Sequence, residues 1–168
     1  WYAEDIRVPT LWDVAGGAGL GTANVDWPGT IGARIRYNII QFWRAPVAVP
    51  PGGDEDHKLL RALSTPGLLD EAEPELGRYP AGYRYTADDD AKRAAFIAWM
   101  IRTKRPGLLT AYFASLDEEQ HDFGPYDPHV LATLERIDGL VGQLRAAAEQ
   151  AWGRRFVLAV VSDHGQIG

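Results

Sequence analysis

Apolar residues fall along this chain in two kinds of pattern. Three stretches carry short apolar runs bounded by turn-forming or polar residues: "LGTANVDW" ending at Trp27, "GLLTAYFASL" ending at Leu116 and "RFVLAVVS" ending at Ser162. The last two are continuous enough to predict strands covered on both faces. Helical signals lie between them. Thr10 to Ala18 opens on a threonine cap with Asp13 three positions on, and Gly16, Gly17 and Gly19 close it. A second helix is predicted from Thr86, with Asp88, Asp89 and Asp90 in its first turn and "RTKRP" at its end, acid and base standing where the helix dipole favours them. A third runs from Asp127 to Ala151, where Val130, Leu134, Ile137, Val141, Leu144 and Ala148 step by three or four into one apolar stripe.

Strands alternating with helices imply right-handed crossovers, and hence an α/β fold: a mainly parallel sheet with helices packed on it. The stretch from Trp43 to Tyr85 breaks the alternation. It is rich in proline and glycine ("RAPVAVPPGGDED") and predicts a long insertion over the sheet edge, with at most one short helix near His57 to Leu63. The 168 residues suffice for one domain with a core, so this insertion is not read as a second domain.

Composition narrows the function classes. Hydrophobic residues at 46% and charged residues at 24% describe a globular chain, not a disordered one. A net charge of -6 argues against a surface that docks RNA or DNA. No run approaches the roughly 18 consecutive apolar residues of a membrane span. Cysteine is absent, which removes thiolate metal sites and disulfides.

Ligands of open parallel sheets gather at the carboxyl ends of the strands. Two predicted strands end in carboxylate and imidazole: Asp117 and His121 in "SLDEEQHDFG", Asp163 and His164 in "SDHG". Both donor types suit zinc, and two such pairs on neighbouring strand ends could hold two ions about 3.5–4 Å apart, an arrangement that clamps a phosphoryl group. Taken alone, Asp117 and His121 read first as an acidic helix start or a solvated loop, and Asp163 with His164 reads equally as a capping pair or a site. Their joint occurrence favours a site. His57 and His129 read as surface residues, and Asp88 to Asp90 as a dipole-stabilised helix start. "GGAGLG" is not a dinucleotide loop, because it follows a helix and precedes a strand, the reverse of the required order.

"PTLWDVAGGAGLGTANVDWPGT", "AYFASLDEEQHDFGP", "ERIDGLVGQL" and "VVSDHG" together resemble the type I phosphodiesterase/nucleotide pyrophosphatase family of the alkaline phosphatase superfamily. The pairing of "WPG" with Asp-x-x-x-His-x-x-Gly-Pro carries the likeness, since "SDHG" is shared across much of the superfamily. The resemblance implies an alkaline-phosphatase-like fold and a two-zinc enzyme hydrolysing phosphodiester or pyrophosphate bonds of nucleotides and related small molecules. It makes Asp117 and His121 ligands of one zinc, and Asp163 and His164 ligands of the other. Tyr112 falls where family members stack an aromatic on the base; it reads equally as an ordinary strand aromatic. Trp27, Pro28 and Gly29 match a loop near the site and are expected to be structural, as is a hydrogen bond from Asp138. Two positions depart from the family: Gln120 stands for glycine and Gln166 for methionine.

The resemblance further implies that the nucleophilic threonine, the first aspartate ligand and an oxyanion-stabilising asparagine fall upstream of Trp1, and the remaining histidine ligand beyond "SDHG". Residues 1–168 are accordingly expected to be an internal piece of a catalytic domain, nearly inactive alone, with sheet edges open to self-association. A periplasmic or extracellular location goes with the family. Two other readings stay open: a sister sulfatase or phosphonate hydrolase, told apart by its nucleophile, and a binding module that keeps the fold without the chemistry.

Overall fold

The computed structural model describes residues 2–42, 53–82 and 85–166. Three strands, β1 (Thr22–Val25), β2 (Tyr37–Ile39) and β3 (Leu108–Ala111), form a parallel sheet in the order β2-β1-β3. Among the described residues six α-helices surround it: α1 (Leu11–Gly17), α2 (Asp54–Leu63), α3 (Leu68–Leu76), α4 (Ala87–Lys104), α5 (Ser115–Phe123) and α6 (Pro128–Trp152). The α/β class and the parallel sheet therefore agree with the sequence. No helix among the described residues is long and apolar enough to cross a membrane.

Capping chemistry fixes the helix starts. Thr10 and Thr86 each accept from the backbone N–H three residues on, and Asp13 and Asp89 return the bond to the threonine N–H. Both capping boxes satisfy donors that a helix start otherwise leaves orphaned. Asp127 caps α6 through the His129 N–H, with Pro128 at the first helical position.

Register follows from alternation along β1. Ala23 and Val25 share one face, and Thr22 and Asn24 the other. Asn24 stands opposite Asn38 on β2 and Thr110 on β3, and it is fully buried. Its amide nitrogen lies 2.8 Å from Asn38 Oδ1, 2.9 Å from the Ile39 carbonyl and 3.1 Å from Thr30 Oγ1. Its oxygen accepts from the Trp27 N–H at 3.0 Å and from Thr110 Oγ1 at 3.1 Å. One side chain thus ties all three strands and the turn that follows β1. In that turn Thr30 Oγ1 donates to the Trp27 carbonyl, and Gly29 takes a φ of 73° that favours glycine.

The main core joins Ala23, Val25, Ile39 and Ile40 to Leu60 of α2, Leu68, Leu69 and Ala72 of α3, and Phe96, Ile97 and Met100 of α4. Tyr79 packs edge-on against Phe96, ring centres 4.8 Å apart. The outer edge of β2 is closed by the turn after α2. There the Thr65 N–H donates to the Asn38 carbonyl, Thr65 Oγ1 accepts from the Asn38 N–H, each at 2.8 Å, and Ser64 Oγ accepts from the Ile40 N–H at 3.3 Å.

Several sequence expectations are corrected. The run "RFVLAVVS" is no strand: Val157 is 94% exposed, Val160 73% and Val161 72%. An apolar run becomes a strand only where its N–H and C=O groups find a ladder, and this run pairs with none of the three strands, the outer edge of β3 included. The strand expected to reach Leu116 ends at Ala111, because the chain turns into α5 at Ser115.

The Pro/Gly-rich stretch holds two helices, not one; residues 43–52 and 83–84 of it lie outside the described residues. Helix α3 accommodates a proline, Pro74. It sits in the last turn, where it forfeits a single backbone bond, and Gly67 and Gly77, both at positive φ, bracket the helix. His57 is not a surface residue: its side chain is 12% exposed and meets Glu73 at 2.6 Å. On α6 the buried face runs through Val130, Thr133, Leu140 and Ala148, leaving Leu134 48% exposed. The Asp138 side chain is exposed and has no hydrogen-bond partner among the described residues. Strand β2 escaped notice because it is three residues long with a polar centre.

Two outcomes test this architecture. Asn24→Ala should lower unfolding free energy by about 3 kcal/mol in urea titration, since several buried partners lose their bond, whereas Thr110→Val should cost about 1 kcal/mol. Val157→Ser together with Val160→Ser should change stability by less than about 0.5 kcal/mol, as surface substitutions do, while Val25→Ser should be severely destabilising.

Candidate functional site

The carboxyl ends of β1 and β3 lead into the residues with chemistry. β1 ends at Val25, and Asp26 follows with a φ of 60°, rare for a residue with a side chain, and 3% exposure. Arg93, on the buried side of α4, reaches across to it: the guanidinium Nε donates to the Asp26 carboxylate, and a terminal nitrogen lies 3.2 Å from Asp90 Oδ1. The guanidinium also covers the Tyr85 ring, 4.5 Å from its centre. Burial raises the Asp26 carboxyl above its ordinary value, with Arg93 opposing. Burial likewise works against the Arg93 cation, but Asp26, Tyr79 and Asp90 outweigh it and hold the guanidinium above its usual range.

Asp90 faces α5. Its Oδ2 accepts from the Ser115 N–H at 2.9 Å, and its Oδ1 lies 3.4 Å from the Ala114 nitrogen. The three neighbouring aspartates therefore have three jobs. Asp88 pairs with Arg136 of α6, Asp89 caps its own helix, and fully buried Asp90 meets the start of the next one. The expectation of a dipole-stabilised helix start describes the cluster only in part.

Asp117 lies in the first turn of α5 and His121 one turn on, so both share a helix face. Asp117 Oδ1 is 3.5 Å from His121 Nε2 and 3.7 Å from His164 Nε2. His164 Nε2 is in turn 3.8 Å from Asp163 Oδ2. The structure thus brings the four sequence-selected residues into one chain of contacts with Asp117 at its centre. Their side chains are open to solvent, from 37% exposed at Asp117 to 67% at Asp163. Gln166 Nε2 donates to the same Asp117 oxygen at 3.2 Å.

The donor chemistry fits zinc in pairs. Two donors on one tetrahedral zinc, each about 2.0–2.2 Å from it, stand roughly 3.4 Å apart, close to the Asp117–His121 spacing. Among the described residues, however, no three His, Asp or Glu side chains converge to hold one ion.

Tyr112 follows β3 directly, half-buried, its N–H bonded to the Val25 carbonyl at 3.1 Å. Burial, and after it the charges of Asp163 and Asp117, push its hydroxyl up to about 12, so the phenol is neutral at ordinary pH. His129 is exposed as expected and stacks on Phe123 at 4.9 Å. Trp27, Pro28 and Gly29 are half-buried in the turn that Asn24 organises.

Sequence reasoning passed over Asp26, Arg93 and the contact of Gln166. Arg93 could have been found, since it is a charge on the apolar face of α4, three residues after an aspartate. The Gln166 contact joins residues 49 positions apart and leaves no local trace.

Ectonucleotide pyrophosphatase/phosphodiesterase family member 1 of Homo sapiens is 34% identical over 74 residues, 42% of this chain and 8% of that protein. The chain therefore spans a small part of that relative's length. No solved structure matches the chain. The family model described as type I phosphodiesterase / nucleotide pyrophosphatase matches residues 1–167, and the chain belongs to that family.

Proposed function

We propose that the full-length protein hydrolyses phosphodiester or pyrophosphate bonds of nucleotides and related small molecules with two zinc ions, one held by Asp117 and His121 and the other by Asp163 and His164, and that residues 1–168 alone turn over little or nothing. The observation that carries this reading is the approach of Asp117 Oδ1 to both His121 and His164, within 3.5 and 3.7 Å, in a chain of this family. When bound, the zinc ions supply positive charge to the phosphoryl oxygens and lower the pKa of an attacking hydroxyl.

The chain's own residues then bind and orient. Asp117 stands between the two pairs, with the α5 imidazole on one side of its Oδ1 and the "SDHG" imidazole on the other. Gln166 holds Asp117 Oδ1 through its amide and constrains the carboxylate's rotation. Tyr112 offers a neutral ring beside the carboxylates, and its role is to stack on the nucleobase or a comparable leaving group. Support for nucleotide substrates, and for a periplasmic or extracellular location, comes from the human relative, whose name carries both "ecto" and "nucleotide".

Full-length protein with added zinc should release nitrophenol from the nitrophenyl ester of thymidine monophosphate, and chelation should abolish it. His121→Ala and Asp163→Ala should each lower kcat/KM by roughly 1,000-fold while the fold is retained, the loss expected when one member of a concerted metal site is removed. Tyr112→Ala should raise KM roughly tenfold with little change in kcat, as lost stacking of about 1–3 kcal/mol implies. A folded, zinc-bearing protein that releases nothing would refute the activity. Parental rates in His121→Ala would refute the assignment of the ligands.

A further inference from the structure

We propose that Asp90, held in place by Arg93, is a positioning residue for α5 and so for Asp117 and His121; the inference rests on the reading of those two as metal ligands. Helix α5 begins without a cap of its own. The preceding residue is Ala114, whose side chain cannot accept a hydrogen bond, and no local side chain replaces it. The N–H of Ser115, the first residue of the helix, is met instead by a carboxylate from α4, 25 positions earlier in sequence. A charged acceptor on a helix N-terminus adds dipole stabilisation to the bond itself.

Both oxygens of Asp90 are committed. Oδ2 takes the Ser115 N–H at 2.9 Å, while Oδ1 faces the Ala114 nitrogen at 3.4 Å and Arg93 at 3.2 Å. Arg93 is fixed at its other end by Asp26, at the end of β1, and all three side chains are at most 5% exposed. The chain Asp26–Arg93–Asp90–Ser115 therefore links the end of the central strand to the start of α5. Asp117 stands only two residues beyond Ser115. A helix turns about 100° per residue, so slippage or fraying of this first turn would carry the Asp117 carboxylate away from His164. Asp88 and Asp89 cannot substitute, since their carboxylates are engaged by Arg136 and Thr86.

The test uses full-length protein with Co2+ as the probe metal and compares Asp90→Asn, Asp90→Ala, Asp117→Ala and Glu73→Gln. Asparagine has the size of aspartate and keeps one acceptor oxygen, so Asp90→Asn should fold even where Asp90→Ala does not. Glu73 lies on α3, bonded to His57, Arg61 and the Tyr79 N–H, and its change destabilises the fold at a distance from α5.

In Asp90→Asn the Ser115 amide should exchange hydrogen roughly tenfold faster, and cobalt affinity should fall by roughly 10–100-fold, as for loss of a partner that orients a ligand. Its cobalt absorption band should shift as well. Glu73→Gln should lower Tm with parental cobalt affinity and band. Parental affinity and Ser115 protection in Asp90→Asn would overturn the proposal, as would equal weakening in Glu73→Gln, which would make the effect one of global stability. Should Asp117→Ala bind cobalt like the parent, it is the ligand reading that fails. Ser115 exchange in Asp90→Asn then decides alone: acceleration keeps Asp90 as the determinant of α5, and no change rejects it.

Discussion

The fold depends on the buried amide of Asn24. Strands of three and four residues make a ladder too short to define its own register, and a slip of one residue would turn every side chain to the opposite face. Asn24 prevents that by using its nitrogen toward β2 and Thr30 and its oxygen toward Thr110 and the Trp27 N–H. A slip would part Asn24 from these partners, and a buried amide left unsatisfied costs about 1–3 kcal/mol. The same bonds draw the turn after β1 into shape, which is why the "WPGT" segment and the sheet are one cooperative unit.

Next to this neutral network lies a charged one with a different logic. Arg93 and its two carboxylates are almost wholly removed from water, and well-packed apolar residues could often match or exceed such a triad in stability. What apolar residues could not do is reach the backbone N–H groups of Ala114 and Ser115. The triad transmits position: a charge at the end of β1 sets a guanidinium, which sets a carboxylate, which sets a helix start. Asp26 takes a left-handed backbone conformation to bring its carboxylate there. That strain is tolerable because Arg93 and the β1 ladder hold the residue on both sides.

The sequence made legible what local physics controls. The Thr-x-x-Asp capping boxes, the terminal glycines and the stripe of α6 all act within a few residues, and α1, α4 and α6 lie where those signals put them. Strand β1 and the start of β3 were also readable from their apolar content. The failures have one cause, which is that the deciding partner is remote in sequence. β2 is a strand because Asn24 and Thr65 bond it, α5 begins where Asp90 caps it, and 156–161 is no strand because it has no ladder. The four candidate ligands were found from residue type and spacing. The approach of His121 and His164 to Asp117 was not, because it depends on the fold of α5 and on Gln166.

That arrangement is unequal in its support. Asp117 and His121 share a helix whose start is bonded to α4, so their mutual spacing follows from backbone geometry. Asp163 and His164 sit on a segment outside the sheet, and their link to the first pair runs through side chains: Gln166 to Asp117 at 3.2 Å, His164 to Asp117 at 3.7 Å. Side-chain links of this kind between exposed groups contribute little in water. The α5 pair is therefore the fixed half of the site, and the "SDHG" pair follows it. Zinc held by Asp117 and His121 would take its geometry from α5, and zinc held by Asp163 and His164 would fix the segment after α6 beside it, so ligand binding and the placing of that segment would be two aspects of one equilibrium.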